Sequence, residues 1–229
     1  MRRYVILATP LLWTLSCAPA LAHPDWTGMW MPYRPARASG VPRPRPVPDL
    51  PSLTPPYQKI YDKAQALFAK GDLSMDKTAN CELPGMPSMM SFDNGGEVLM
   101  TPGRLTIISE WAGDVRRIFT DGRKHPDDLY PSYEGHSIGH WEGNDLVVDT
   151  VGISPRASLN LVGSQQSDKM HITERFHEPA PGRLNISFHI EDSEAFTKPW
   201  DYTVMWQRDK DPLDYVHEYH CDNNRNKPQ

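Results

Sequence analysis

The run GHSIGHWEGNDLVVDTVG, residues 135–152, decides the fold class. Two stretches of alternating character, His136–Trp141 and Asp145–Val151, flank the turn Glu142-Gly143-Asn144. A period of two on either side of a short glycine turn is a β-hairpin. Pairing Glu142 with Asp145 sets Trp141 opposite Leu146, Gly139 opposite Val148 and Ser137 opposite Thr150 on one face. His136, Ile138 and His140 then stand opposite Val151, Asp149 and Val147 on the other.

Outward from this hairpin the same period recurs. Glu97–Thr101, Arg104–Trp111, Asp114–Asp121, Asp168–Phe176, Leu184–Glu191, Trp200–Arg208 and Asp214–His220 also read as strands. Pro102-Gly103, Gly113-Asp114 and Pro181-Gly182 supply turns between them. Nine short strands joined mostly by tight turns make a meandering antiparallel sheet, and a sheet of that size closes into a barrel to remove its edges. Upstream, Asp25–Trp30 is a short strand-like opening. Pro32–Pro56 holds nine prolines, which excludes helix and central strand and leaves an extended strap or a linker.

One amphipathic helix follows. Thr54 stands at the N-cap, Pro55 at the first helical position and Gly71 at the C-terminal stop. Tyr57, Ile60, Tyr61, Ala64, Leu67 and Phe68 form a single apolar stripe that suits core packing. The expected organisation is therefore a signal peptide at 1–22, a strand and strap at 23–56, a covering helix and loop at 57–96, and the barrel at 97–229, with 23–229 forming one domain.

The 229 residues include 24 basic and 29 acidic ones, a net charge of −5. That charge argues against a nucleic-acid footprint and against a polybasic membrane anchor. Arg2 and Arg3, the apolar run Tyr4–Leu15 and Ala20-Leu21-Ala22 have the layout of a cleaved export signal, with a mature start near His23 in the periplasm or outside the cell. No later apolar run is long enough to span a bilayer. Cleavage leaves Cys81 and Cys221 in an oxidising compartment, where an even count reads as a disulfide; two buried thiols are the other reading.

Chemistry is read from strand parity. His136 lies diagonal to Asp149 among Ile138, Val147 and Val151, and a carboxylate beside an imidazole holds a general base in one tautomer. The alternative is a solvated surface pair, with Trp141 and Leu146 facing inward; parity does not choose. Glu174 shares a face with Met170, Ile172 and Phe176, so it is either an acid for catalysis or the partner of a core tyrosine or of an arginine such as Arg116 or Arg117. The expected catalytic set is His136, Asp149 and Glu174, with His171 or His125 assisting. Trp141, Tyr133, Ile138 and Arg175 are the expected contacts for a small apolar or aromatic compound. No cofactor is called for. A metal, if one binds, has His125, His136 and His171 as ligands gathered across strands, because no HxH or HExxH spacing occurs.

Several runs carry a resemblance. CELPGMP from Cys81, RRIFTDGRKHPDD from Arg116, the hairpin run, MHITERF from Met170, EDSEAFTKPW from Glu191 and EYHCDNN from Glu218 resemble a widespread family of exported bacterial proteins with no assigned reaction. A histidine often stands in that pattern where this chain has Gln166. Gly28-Met29-Trp30 is more loosely similar to lipocalin-like barrels, in which an arginine from a later strand covers such a tryptophan. That resemblance implies a lipocalin-like barrel, Arg175 in the covering role and a cavity for an apolar or aromatic molecule. The function expected is acid–base chemistry of the lyase, isomerase or dehydratase type inside the barrel. The alternatives are a non-catalytic binding barrel and a metalloprotein. Substrate and oligomeric state are not legible.

Overall fold

Nine strands form one closed barrel in a computed structural model that describes residues 23–33, 50–91, 95–160, 163–211 and 215–221. They are β1 Gly28–Pro32, β2 Gly96–Thr101, β3 Arg104–Ser109, β4 Val115–Phe119, β5 His136–Glu142, β6 Asp145–Val151, β7 His171–Ala180, β8 Arg183–Glu191 and β9 Trp200–Arg208. The expected signal peptide and most of the proline-rich strap lie outside the described residues.

Each strand pairs with the next in sequence, and β9 closes on β1. The pairs are antiparallel except β4–β5, where Ile118 and Phe119 run parallel to Ser137 and Ile138. Counting explains that exception to the expected antiparallel meander. Nine strands in a ring give nine neighbouring pairs, and nine reversals of direction do not close on themselves, so an odd number of pairs must be parallel. A parallel pair needs a crossover of a dozen or more residues. Here residues 120–135 supply it.

The opening segment is a full member of the ring, whereas the expected strand Asp214–His220 is not one. Asp214 lies outside the described residues, and Tyr215–His220 have no strand structure. Their alternation instead serves a strap: His217 Nδ1 lies 2.6 Å from Glu110 Oε1, and Tyr219 packs on Trp111 with ring centroids 5.5 Å apart. Strand β7 also outruns its expected end. It continues past Phe176 to Ala180 through a register shift between His177 and Ala180, and Pro179, which has no N–H to give a ladder, sits in that irregularity.

Interior positions come from alternate residues. Ile107, Ile118, Leu146, Val148, Ile172, Ile186 and Ile190 are at most 1 % exposed. Among them runs a polar girder. Arg116 donates from Nη1 to Glu174 Oε1 at 2.8 Å, from Nη2 to Glu174 Oε2, and from Nη2 to Thr150 Oγ1 at 3.0 Å. Its Nε reaches Ser137 Oγ at 3.3 Å. Burying two charges is tolerable only when each is paired and hydrogen-bonded, and this fork meets that condition.

Trp30 lies inside at 1 % exposure, covered by an arginine. That arginine is Arg208, whose guanidinium carbon stands 4.7 Å from the Trp30 ring centre. Arg208 also donates to the carbonyls of Thr27 and Asp25, tying the end of β9 to the residues just ahead of β1. Arg175, expected in that role, is on the outer wall with Glu142 and Asp145. Strand parity explains the difference, since Arg175 falls between the inward-facing Glu174 and Phe176.

Helix α1, Pro55–Phe68, has Thr54 at its N-cap, but the Thr54 hydroxyl donates to the Glu194 carbonyl at 2.7 Å rather than capping. Ala64 is its one fully buried residue and faces Gly163, where an added Cβ would come within 2.7 Å of the Ala64 methyl. Only glycine allows that approach at φ +86°. Cys81 and Cys221 form a disulfide with a Cα–Cα distance of 5.8 Å. Among the described residues no helix is long and apolar enough to cross a membrane.

Candidate functional site

The β5–β6 hairpin adopts the register read from sequence, from His136↔Val151 to Glu142↔Asp145. Leu146, Val148 and Thr150 are buried inside. His136 and Asp149 therefore point outward. The strand ends bring a third and a fourth group to them. His171, first in β7, comes through the β6–β7 pairing, and His125 comes from the crossover that the parallel pair requires.

These four side chains form one chain of bonds. His136 Nδ1 lies 2.7 Å from His125 Nδ1, and His125 Nε2 lies 2.9 Å from Asp149 Oδ2. His171 Nε2 bonds the other oxygen, Asp149 Oδ1. A carboxylate only accepts, so His125 donates to it from Nε2 and its Nδ1 is left to accept from His136. That tautomer leaves His136 Nε2 unprotonated and free to take a proton. His171 Nδ1 stands 3.9 Å from Glu191 Oε2 at the end of the row.

Environment favours that protonation pattern. Burial, then the repulsion that protonating two adjacent imidazoles would bring and the Arg123 charge, lower the His136 pKa below its ordinary 6.5, so the ring is neutral at pH 7. Burial works to raise the Asp149 carboxyl, but hydrogen bonds from His171 and His125 and their charges outweigh it and hold the group below the usual carboxylate range. Phe119 stacks on His136 with centroids 5.4 Å apart, and Arg123 lies 3.8 Å over the Phe119 ring. Neither residue was readable as part of the site, because the parallel register that places Phe119 leaves no periodic mark.

The remaining expected site residues are dispersed. Glu174 is inside, on the opposite face of the sheet from Asp149, with both oxygens held by Arg116. Ile138 pairs with Asp149 on the outer face. Trp141 closes one end of the barrel against Trp26, with His23 stacked on it at 4.3 Å. Tyr133 donates to Glu82 Oε2 at 3.1 Å in the loop region. Among the described residues no group of three or more His, Cys, Asp or Glu is arranged to hold a metal ion; His125 has each ring nitrogen engaged by a neighbour.

Two concavities are lined by neighbouring parts of the strands and loops that carry the relay, and by none of the four relay side chains. A groove of about 430 Å³ runs along the outer wall past Val147, Thr173, Arg175 and His189. A second, of about 510 Å³, is lined by the loops that run out of the strand ends carrying His136, Val151, His171 and Glu191, with Tyr57 of α1 at its side. No protein-family model matches the chain, and no curated protein matches it. Among solved structures it is similar to a crystal structure of a mutant of the fluorescent protein UnaG, at 12 % identity over 81 % of this chain and 97 % of that one, with a TM-score of 0.34.

Proposed function

We propose that the protein is an exported enzyme that uses His136, backed by His125 and Asp149, as a general base on a small apolar or aromatic compound. The reaction type this suits is a lyase, isomerase or dehydratase step, in which one group removes a proton and no cofactor is needed. The observation that supports it is the unbroken chain His136–His125–Asp149, with the outer nitrogen of a neutral imidazole left free. A proton taken at His136 Nε2 produces an imidazolium whose other N–H points along the relay toward a carboxylate, which stabilises the charge as it develops. The chemistry belongs on the outer wall and the adjoining barrel end, because interior positions are filled by side chains at most 1 % exposed.

A second reading, a binding protein without turnover, draws support from the 510 Å³ cavity, which lies in the size range of small-molecule sites. One experiment separates the two. Protein exported by its own leader is compared by native and denaturing mass spectrometry, any bound organic mass is identified, and that compound is incubated with wild type and with His136→Ala. Conversion by wild type and loss of conversion in the variant support the enzyme. Unchanged recovery from both supports the binder, and equal conversion by both removes His136 from the mechanism.

A further inference from the structure

We propose that the cavity at the barrel end is a binding site for a small aromatic ammonium compound. This deepens the reading above by naming a ligand class, and it rests on the cavity rather than on turnover. The walls are built rather than accidental. Asp192, 3 % exposed, accepts from the Ser167 backbone and hydroxyl at 2.7 Å and from the Ala195 backbone at 2.9 Å, pinning the loop before β7 to the loop after β8.

Three features of the lining point to the ligand. Gln166 is 2 % exposed, and its Nε2 donates to the Ala157 carbonyl at 2.7 Å, while its Oε1 has no hydrogen-bond partner among the described residues. A buried acceptor left without a donor is costly, and because Gln166 lines the cavity, a ligand N–H that reaches its Oε1 would supply the missing bond. Among the described residues the charged ones in the lining are Asp168 and Glu194, and none there is basic. Lys169 binds Asp168 from outside at 3.2 Å and offsets part of its charge, whereas Glu194 keeps the field negative. That field is felt within the site: burial, then the Asp192, Glu194 and Asp168 charges, raise the Tyr57 hydroxyl pKa above its ordinary value. Tyr57 and Tyr130, the latter 89 % exposed, are in the lining and supply the aromatic rings on which an aromatic body and its cation would pack.

The test uses three molecules of one shape and different charge: 2-phenylethylamine, 2-phenylethanol and 3-phenylpropionate. Calorimetry at pH 7 and low salt reads their affinities for the full protein, without reference to turnover. The amine is expected to bind about tenfold tighter than the alcohol, with the carboxylate weakest, and the amine's advantage is expected to fall as salt rises. Glu194→Gln, on an exposed side chain, and Gln166→Leu are each expected to remove most of that advantage. Asp209→Asn, just beyond the far end of β9, serves as a control and is expected to change nothing. Because Gln166 also holds a backbone carbonyl, the Glu194→Gln result stands by itself if Gln166→Leu misfolds. Equal affinity for all three molecules, no binding of the amine, or an unaltered preference in Glu194→Gln overturns the assignment. Turnover without amine preference would overturn the ligand class and leave the relay intact.

Discussion

In the proposed reaction His136 acts as a base only while its free nitrogen is unprotonated, and two physical facts keep it so. Burial, the repulsion between two adjacent imidazolium rings and the Arg123 charge depress its pKa below 6.5, and the His125–Asp149 pair fixes the proton on Nδ1. Activity on the compound is therefore expected to be level through neutral pH and to fall only on the acid side of 6.5, as measured by kcat/KM against pH. Asp149→Asn should lower kcat by a factor on the order of 10²–10⁴, the span of a positioned acid–base group, while affinity changes little. Glu134 presents the opposite case. Burial, a hydrogen bond to Asp114 and the Asp114 charge push its carboxyl up from 4.5 to about 8. A group whose folded pKa is raised contributes stability below its unfolded pKa and loses it as pH climbs to the folded one. Urea midpoints should accordingly fall between pH 4.5 and about 8, and Glu134→Gln should flatten that slope.

At the scale of elements, the crossover 120–135 and strands β4 to β7 make two polar assemblies back to back. The outer one is the imidazole–carboxylate relay. The inner one is Arg116 with Glu174, Ser137 and Thr150. Removing one member of a buried pair leaves the other charge uncompensated, so Glu174→Ala should cost about 3–5 kcal/mol in urea unfolding. The double variant Arg116→Met with Glu174→Leu should recover much of that loss, since apolar side chains of similar volume replace the pair without a stranded charge. A full loss persisting in the double variant would show that the hydroxyls of Ser137 and Thr150 depend on the girder as well.

For the whole molecule, closure joins the first strand to the last and to the segment that follows it. β1 seals the ring between β2 and β9, Arg208 clasps the opening residues, and the Cys81–Cys221 bridge holds the C-terminal strap to the loop ahead of β2. A cross-link between residues 140 apart removes a large share of the unfolded chain's freedom. Replacing both cysteines by serine should therefore lower stability by about 3–5 kcal/mol in the chain-entropy description. Comparison of oxidised wild type with the double variant by urea unfolding measures it. Relay geometry, read by the pH–rate profile, should survive, because the bonds that hold His125, His136, Asp149 and His171 run among themselves and to Glu191, not to Cys81 or Cys221.

Much of this was legible in the chain alone. Alternation at two-residue spacing, glycine turns and one apolar stripe at helical spacing are local signals, so the hairpin register, the helix and the barrel class followed from sequence. Parity also put His136 and Asp149 on a common face. The tertiary structure decided which way that face looks, because inside and outside are defined only when the sheet closes. It decided that Glu174 belongs to Arg116 and that Arg208, not Arg175, covers Trp30, since both pairings join strands remote in sequence. Closure of nine strands also forced one parallel pair, and the crossover that pair demands delivered His125 to His136. A relay assembled by the closing of a ring has no local signature, which is why the sequence named its members without showing how they join.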